Sequence, residues 1–251
     1  MKPAPLQRER ETVEDTSLRR LGGTASILLG ASYLLVGGAI LMDPLRSVTT
    51  LKEFWTTFVQ HPTFRLTTHA LFALGALCGI AAVPGISSLV RKGNEGWVRW
   101  AAAVGTMGFA VTSISKFREL SVEPLIAQRY VEGNEITRAV ITSTPQIGLD
   151  PYGFFRYGAI GAWIFVINLL ALRQGAWPRP LAYLGMVGAV LYWLVPIGNL
   201  FGLQVAMVIE AAVALVGGVM IGPVWFIWIG RVVRGGAGGE ATRGIAQASG
   251  G

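Results

Sequence analysis

The stretch Leu203-Gln204-Val205-Ala206-Met207-Val208-Ile209-Glu210-Ala211-Ala212-Val213-Ala214-Leu215-Val216 decides how the chain is read. Thirteen of its positions suit a helix crossing a bilayer, and one, Glu210, does not. An ionisable side chain at that depth costs roughly 2.5–3.5 kcal/mol on insertion scales. A run that carries such a residue and still reads as a span implies that the acid has a partner, a proton or a task.

Composition supports the membrane reading. Of 251 residues, 52% are hydrophobic and only 14% charged, whereas soluble domains carry about 25% charged residues. The net charge of +7 does not point to nucleic acid, because the basic residues lie beside apolar runs and do not form one polar module. The single cysteine, Cys78, sits within an apolar run, so neither an intrachain disulfide nor a cysteine-built metal site is available.

A helix needs about 20 apolar residues to cross the hydrocarbon. Six stretches have that character: 22–42, 66–90 (interrupted at Val83-Pro84-Gly85), 97–117, 152–172, 181–198 and 203–229. The first lacks a cleavage site for a signal peptide and is read as retained. The expected architecture is an all-α, six-helix transmembrane bundle with cytoplasmic N and C termini. Residues 1–20 form a charged cytoplasmic segment, 21–234 the membrane domain, and 235–251 a disordered Gly-rich tail.

Orientation follows from the basic residues. With the N terminus inside, thirteen of the 21 Lys and Arg side chains lie on the cytoplasmic face. Two longer connections then lie outside. In 43–65, Phe54, Trp55, Phe58 and Val59 fit an amphipathic helix at the interface. The connection 118–151 is too long to be structureless and is expected to contain helix. Its Glu119 and Glu123, four residues apart, are expected to form a solvated face. Trp225-Phe226-Ile227-Trp228, followed by Arg231 and Arg234, has the composition of an interfacial anchor.

Depth sorts the remaining ionisable residues. Glu210 lies seven residues into the last span, roughly 10 Å from its outer end. His69, Lys116 and Arg156 fall near the outer ends of the second, third and fourth spans, with Arg118 just beyond. These five are the candidate ligand-binding or ion-pairing residues. They suggest either a polar cavity on the outer side or a buried ion pair that fixes helix register. No catalytic set, nucleotide loop or metal set is visible, and no cofactor is expected. Single axial ligation of a pigment by His69 is the one chemistry of that kind left open, since the only other histidine is His61.

Small residues recur in the spans: Gly23, Gly30 and Gly37, the GxxxG of Gly75 and Gly79, and the GxxxG of Gly218 and Gly222. They serve close packing within one bundle or, alternatively, a homodimer or partner-docking face in a larger membrane complex. Membrane lipids are the other expected partner.

Several motifs carry a resemblance. Arg20-Leu21-Gly22-Gly23 leads into Tyr33-Leu34-Leu35, and His61-Pro62-Thr63-Phe64-Arg65-Leu66 opens the second span. Next come the hairpin Arg173-Gln174-Gly175-Ala176-Trp177-Pro178-Arg179-Pro180-Leu181-Ala182-Tyr183-Leu184-Gly185 and the closing run Gly222-Pro223-Val224-Trp225-Phe226-Ile227-Trp228-Ile229-Gly230. Across about 18–230 the chain resembles a bacterial multi-pass membrane family, domain of unknown function 4386. The resemblance implies the fold and a bacterial cytoplasmic membrane, and carries no activity.

Two function classes stay open on the sequence. One is a non-catalytic accessory subunit or binder of a lipid or small apolar ligand, with an outer-leaflet polar cavity around Glu210. The other is a small proton-coupled transporter using Glu210 as its carrier carboxylate. For the second, Val83-Pro84-Gly85 and Val195-Pro196 occupy matching places in two three-helix halves.

Overall fold

A computed structural model describes residues 5–143, 149–201 and 213–248, with side chains placed over 16–143, 149–201, 213 and 216–235. Glu210 and Gln204 lie outside the described residues.

Every regular element among the described residues is helical. The long helices are α1 (Pro5–Met42), α3 (Thr63–Ser88), α4 (Glu95–Glu132), α6 (Ile160–Gln174), α7 (Arg179–Leu200) and α8 (Gly222–Ala248). Two short helices, α2 (Leu51–Gln60) and α5 (Glu135–Ser143), flank them. A π-helical turn (Phe154–Ala159) leads into α6, and a π-helical stretch (Val213–Ile221) leads directly into α8.

Five helices are long and apolar enough to cross a membrane: Thr16–Met42, Thr63–Ser88, Phe154–Gln174, Arg179–Leu200 and Val216–Gly235. By length and composition the chain is a multi-pass membrane protein. In hydrocarbon a backbone must satisfy its own N–H and C=O groups, which a helix does within one segment. α4 falls outside the five because Arg99, Thr106, Thr112, Ser113, Ser115 and Lys116 dilute its apolar run.

The long helices close a ring. α1 packs on α3 and α8, α3 on α4, α4 on α6, α6 on α7, and α7 on the π-helical stretch that leads back to α8 and α1. The closest approach is at the α1–α3 crossing. A Cβ placed on Gly85 would lie 2.7 Å from the Gly22 Cα, so the two backbones touch. Most of the other small residues also serve the bundle itself. Gly23 and Gly30 face α8, Gly75 faces Ser32, Gly79 faces Phe109 and Gly105 faces Trp163. Ser26 Oγ adds a 2.7 Å hydrogen bond to the Phe226 carbonyl.

Aromatic side chains fill the centre. Phe109, Trp163, Trp225 and Phe226 meet edge to face with centroids 4.9–6.3 Å apart. This corrects the interfacial reading of Trp225 and Phe226: both are buried core residues, and only Trp228 of that run is exposed. A helix turns through 100° per residue, so adjacent aromatics face different ways. Trp163 Nε1 donates to Ser87 Oγ at 3.0 Å.

Three boundaries stand out. α3 and α7 run through Pro84 and Pro196 without a break, since neighbouring helices hold a proline-containing turn in place. α8 is helical to Ala248, past the last candidate span, which ends at Gly235. α4 is 38 residues long, about 57 Å, so its second half outruns a hydrocarbon layer of about 30 Å. Onto that extension α2 folds its apolar face. Trp55, Phe58 and Leu45 pack with Ala127 and Tyr130 in a small second core.

Candidate functional site

The site is built where the start of α3 meets the middle of α4. Arg65 and His69 are four apart on α3. Lys116, Glu119 and Glu123 are three and four apart on α4. Each set therefore lies on one helix face, and the two faces oppose each other.

His69 is at the centre, its side chain only 2% exposed. Its Nε2 lies 2.9 Å from Glu123 Oε2 in hydrogen-bonding geometry. Its Nδ1 lies 3.1 Å from Glu119 Oε2. That second contact is close in distance but not aligned as a hydrogen bond, and the buried Nδ1 makes no other. Arg65 clamps Glu123 from its other side, donating from Nε and an Nη at 3.3 and 3.1 Å. Lys116 Nζ donates to Glu119 Oε2, and its ammonium sits 5.6 Å from the centre of the Phe72 ring. Burial alone raises the Glu123 carboxyl pKa. The hydrogen bonds from His69 and Arg65 and the Arg65 charge outweigh that and hold it at about 2.

Arg156 approaches from the π-helical turn, 3.9 Å from Glu119 Oε1. The turn is locally determined. Gly153 takes φ +82, where a side chain would also collide with Tyr157. Asp150, buried, accepts from the backbone N–H groups of Phe155 and Arg156, both at 2.8 Å, through Oδ2. Its own carbonyl accepts from Arg156 at 3.0 Å. Asp150 thus acts as a helix cap and as the anchor of Arg156. Replacing it with Ala is expected to cost about 1–2 kcal/mol, read as a lower thermal midpoint in detergent. A change within a few tenths would show the cap to be idle.

Three of the five residues singled out from the sequence, His69, Lys116 and Arg156, come together. Arg118 does not: it points away from this face of α4 and is exposed. Glu210 lies outside the described residues. Arg65, Asp150, Glu119 and Glu123 are additions. Treating the two glutamates as a solvated face is incorrect, because Glu123 is buried and Glu119 is half-buried beneath α3. The signal that points to them is complementary spacing: Arg65-x-x-x-His69 matches Glu119-x-x-x-Glu123. His69, Glu119 and Glu123 are also close enough for a small metal-ligand set. Lys116 and Arg65 already neutralise the two carboxylates, so the trio is assigned to an ion-pair network.

Beside the network is a cavity of about 520 Å³. Lys116, Arg156, Thr112 and Asn199 line it together with Tyr33, Tyr157 and Tyr192, and Val36, Ile40, Phe72, Ile160 and Val195 supply apolar wall. Among the described residues no Asp or Glu faces this space. Lys116 and Arg156 border the cavity, while Glu119, their partner, stays outside its lining.

Fold and site together define a multi-pass helical membrane protein with a charged network against an apolar, cation-rimmed cavity. The chain belongs to the family described as domain of unknown function 4386 (DUF4386), whose model matches residues 23–230. No curated protein and no solved structure matches the chain.

Proposed function

We propose that the protein is a non-catalytic membrane binding protein for an amphipathic anion. The acidic head group of the ligand is held by Lys116 and Arg156, and its apolar body lies against Val36, Ile40, Phe72 and Ile160. The observation that carries this is the one-sided charge of the cavity: two cations, tyrosine hydroxyls and apolar wall, with no acidic side chain among the described lining residues. The volume falls within the range of small-molecule sites, roughly 300–1,000 Å³.

In this proposal α4 is the sixth span, both termini are cytoplasmic, and the cavity opens to the outer leaflet of a bacterial inner membrane. The excess of basic residues on the segments placed inside supports that orientation. An accessory subunit of a larger complex would use the same site to hold a lipid. A proton-coupled transporter is the second reading, favoured by Pro84 and Pro196 within α3 and α7 at matching places in the two halves. Glu210 would be its carrier.

The test is calorimetric titration of the maltoside-purified protein with decane-1-sulfonate, alongside decan-1-ol. The sulfonate binds. Lys116→Met and Arg156→Gln each weaken it about 10–100-fold, as expected for loss of one charge-assisted contact. Decanol competes poorly. A folded protein that binds no sulfonate, or one that binds sulfonate and decanol alike, overturns the proposal.

A further inference from the structure

Among the described residues the ion-pair network is closed in charge. Arg65, Lys116 and Arg156 supply three cations, and Glu119, Glu123 and Asp150 supply three carboxylates. Balance therefore holds with His69 neutral. In a neutral ring Nε2–H donates to Glu123, and Nδ1 presents a lone pair beside Glu119, near but out of line. That oxygen of Glu119 is tolerable next to a lone pair because the Lys116 ammonium is seated on it.

An anion arriving from the cavity disturbs this. It draws Lys116 and Arg156 toward itself, and both are partners of Glu119. The buried region then carries one negative charge too many, and Glu119 Oε2 faces an imidazole lone pair without its counter-charge. One group within reach can restore both the charge and the hydrogen bond. A proton on His69 Nδ1 turns the 3.1 Å contact into a charge-assisted bond to Glu119. The other described charged groups facing His69 are Arg65 on its own helix and Glu123, already bonded to both Arg65 and Nε2. α1 and α2 bring no ion-pair partner to this ring among the described residues.

We infer that anion binding carries one proton into the site, taken from solvent onto His69 Nδ1, so that the ligand and the proton load together. This rests on the anion-binding proposal above and gives that site its coupling ion. It places the coupling proton on His69, between α3 and α4, and not on Glu210.

The experiment again uses decane-1-sulfonate, whose own charge does not titrate. Calorimetry is run from pH 6 to 8.5 in bis-Tris, imidazole and Tris, cationic buffers of different ionisation enthalpy. The expected result is uptake of about one proton per sulfonate, with affinity falling about tenfold per pH unit over the range where that proton is taken up. His69→Gln binds with no proton uptake and no slope. The chain has two histidines, so ring ¹⁵N spectra of the wild type, assigned with His61→Gln, provide a readout that does not depend on the His69 variant folding. The His69 ring signals move to the imidazolium pattern on saturation. Sulfonate binding without proton uptake, or with unmoved His69 signals, overturns the coupling and leaves the binding proposal standing. A slope that survives in His69→Gln and vanishes in Glu210→Gln also overturns it. Absence of sulfonate binding at pH 6 removes the binding proposal itself.

Discussion

Replacing Glu123 with Gln is expected to lower stability in detergent by about 2–3 kcal/mol, near the lower end for breaking a buried charged pair. The Glu123 side chain is 8% exposed and is held by the Arg65 guanidinium and the His69 ring at once. Its loss leaves His69 Nε2 facing a neutral amide in a buried position. The cost stays at the lower end because the Arg65 side chain is 35% exposed and can turn to water. The same carboxylate makes stability depend on acid. Its folded pKa of about 2 lies below the 4.5 of the unconstrained group. Folding therefore favours the ionised form, and the contribution is fully present above pH 4.5 or so. It is lost as the pH falls through the folded value. The gap corresponds to about 3 kcal/mol. Unfolding followed by tryptophan emission should show the wild type weakening from about pH 5 toward pH 2, with the difference from Glu123→Gln closing over that window. A constant difference across the range would show that Glu123 is not the group responsible.

The second large effect is steric. Gly85→Val is expected to cost about 3 kcal/mol or more, at the top of the range for overpacking. A Cβ there meets the Gly22 Cα at 2.7 Å and the Leu18 carbonyl at 2.9 Å. Both are backbone atoms on the opposing helix, so no rotamer change relieves the contact and α1 must move away from α3. Gly38→Val is the matched control, because nothing lies within 4 Å of that position. Equal thermal midpoints for the two variants would mean that the α1–α3 crossing does not hold the bundle together. The crossing is cytoplasmic in the proposed orientation, far from His69, so the Gly85 variant tests the ring of helices separately from the network.

The charged network was half visible in the sequence. His69, Lys116 and Arg156 stand out because a polar residue inside an apolar run is conspicuous. Glu119 and Glu123 do not, since they follow the apolar run of α4 and look like any exposed acidic turn. Their burial depends on the length of α4 and on the start of α3 covering it. Neither fact has a local signature. Trp225 and Phe226 mislead in the opposite direction: an aromatic pair beside basic residues has the composition of an anchor, and only the rotation of α8 sends both rings into the core.

What the sequence by itself determined is the class of object: an all-helical chain with several segments of bilayer length, close-packed through glycine. That information is local, because length, apolarity and internal hydrogen bonding are properties of single segments. Only the tertiary structure decided which polar residues meet. His69 and Glu123 are 54 residues apart, and Arg65 and Glu123 are 58 apart. Their pairing depends on how two helices are rotated and how far one extends beyond the other. The desolvation that gives those contacts their strength exists only once the ring of helices has closed around them.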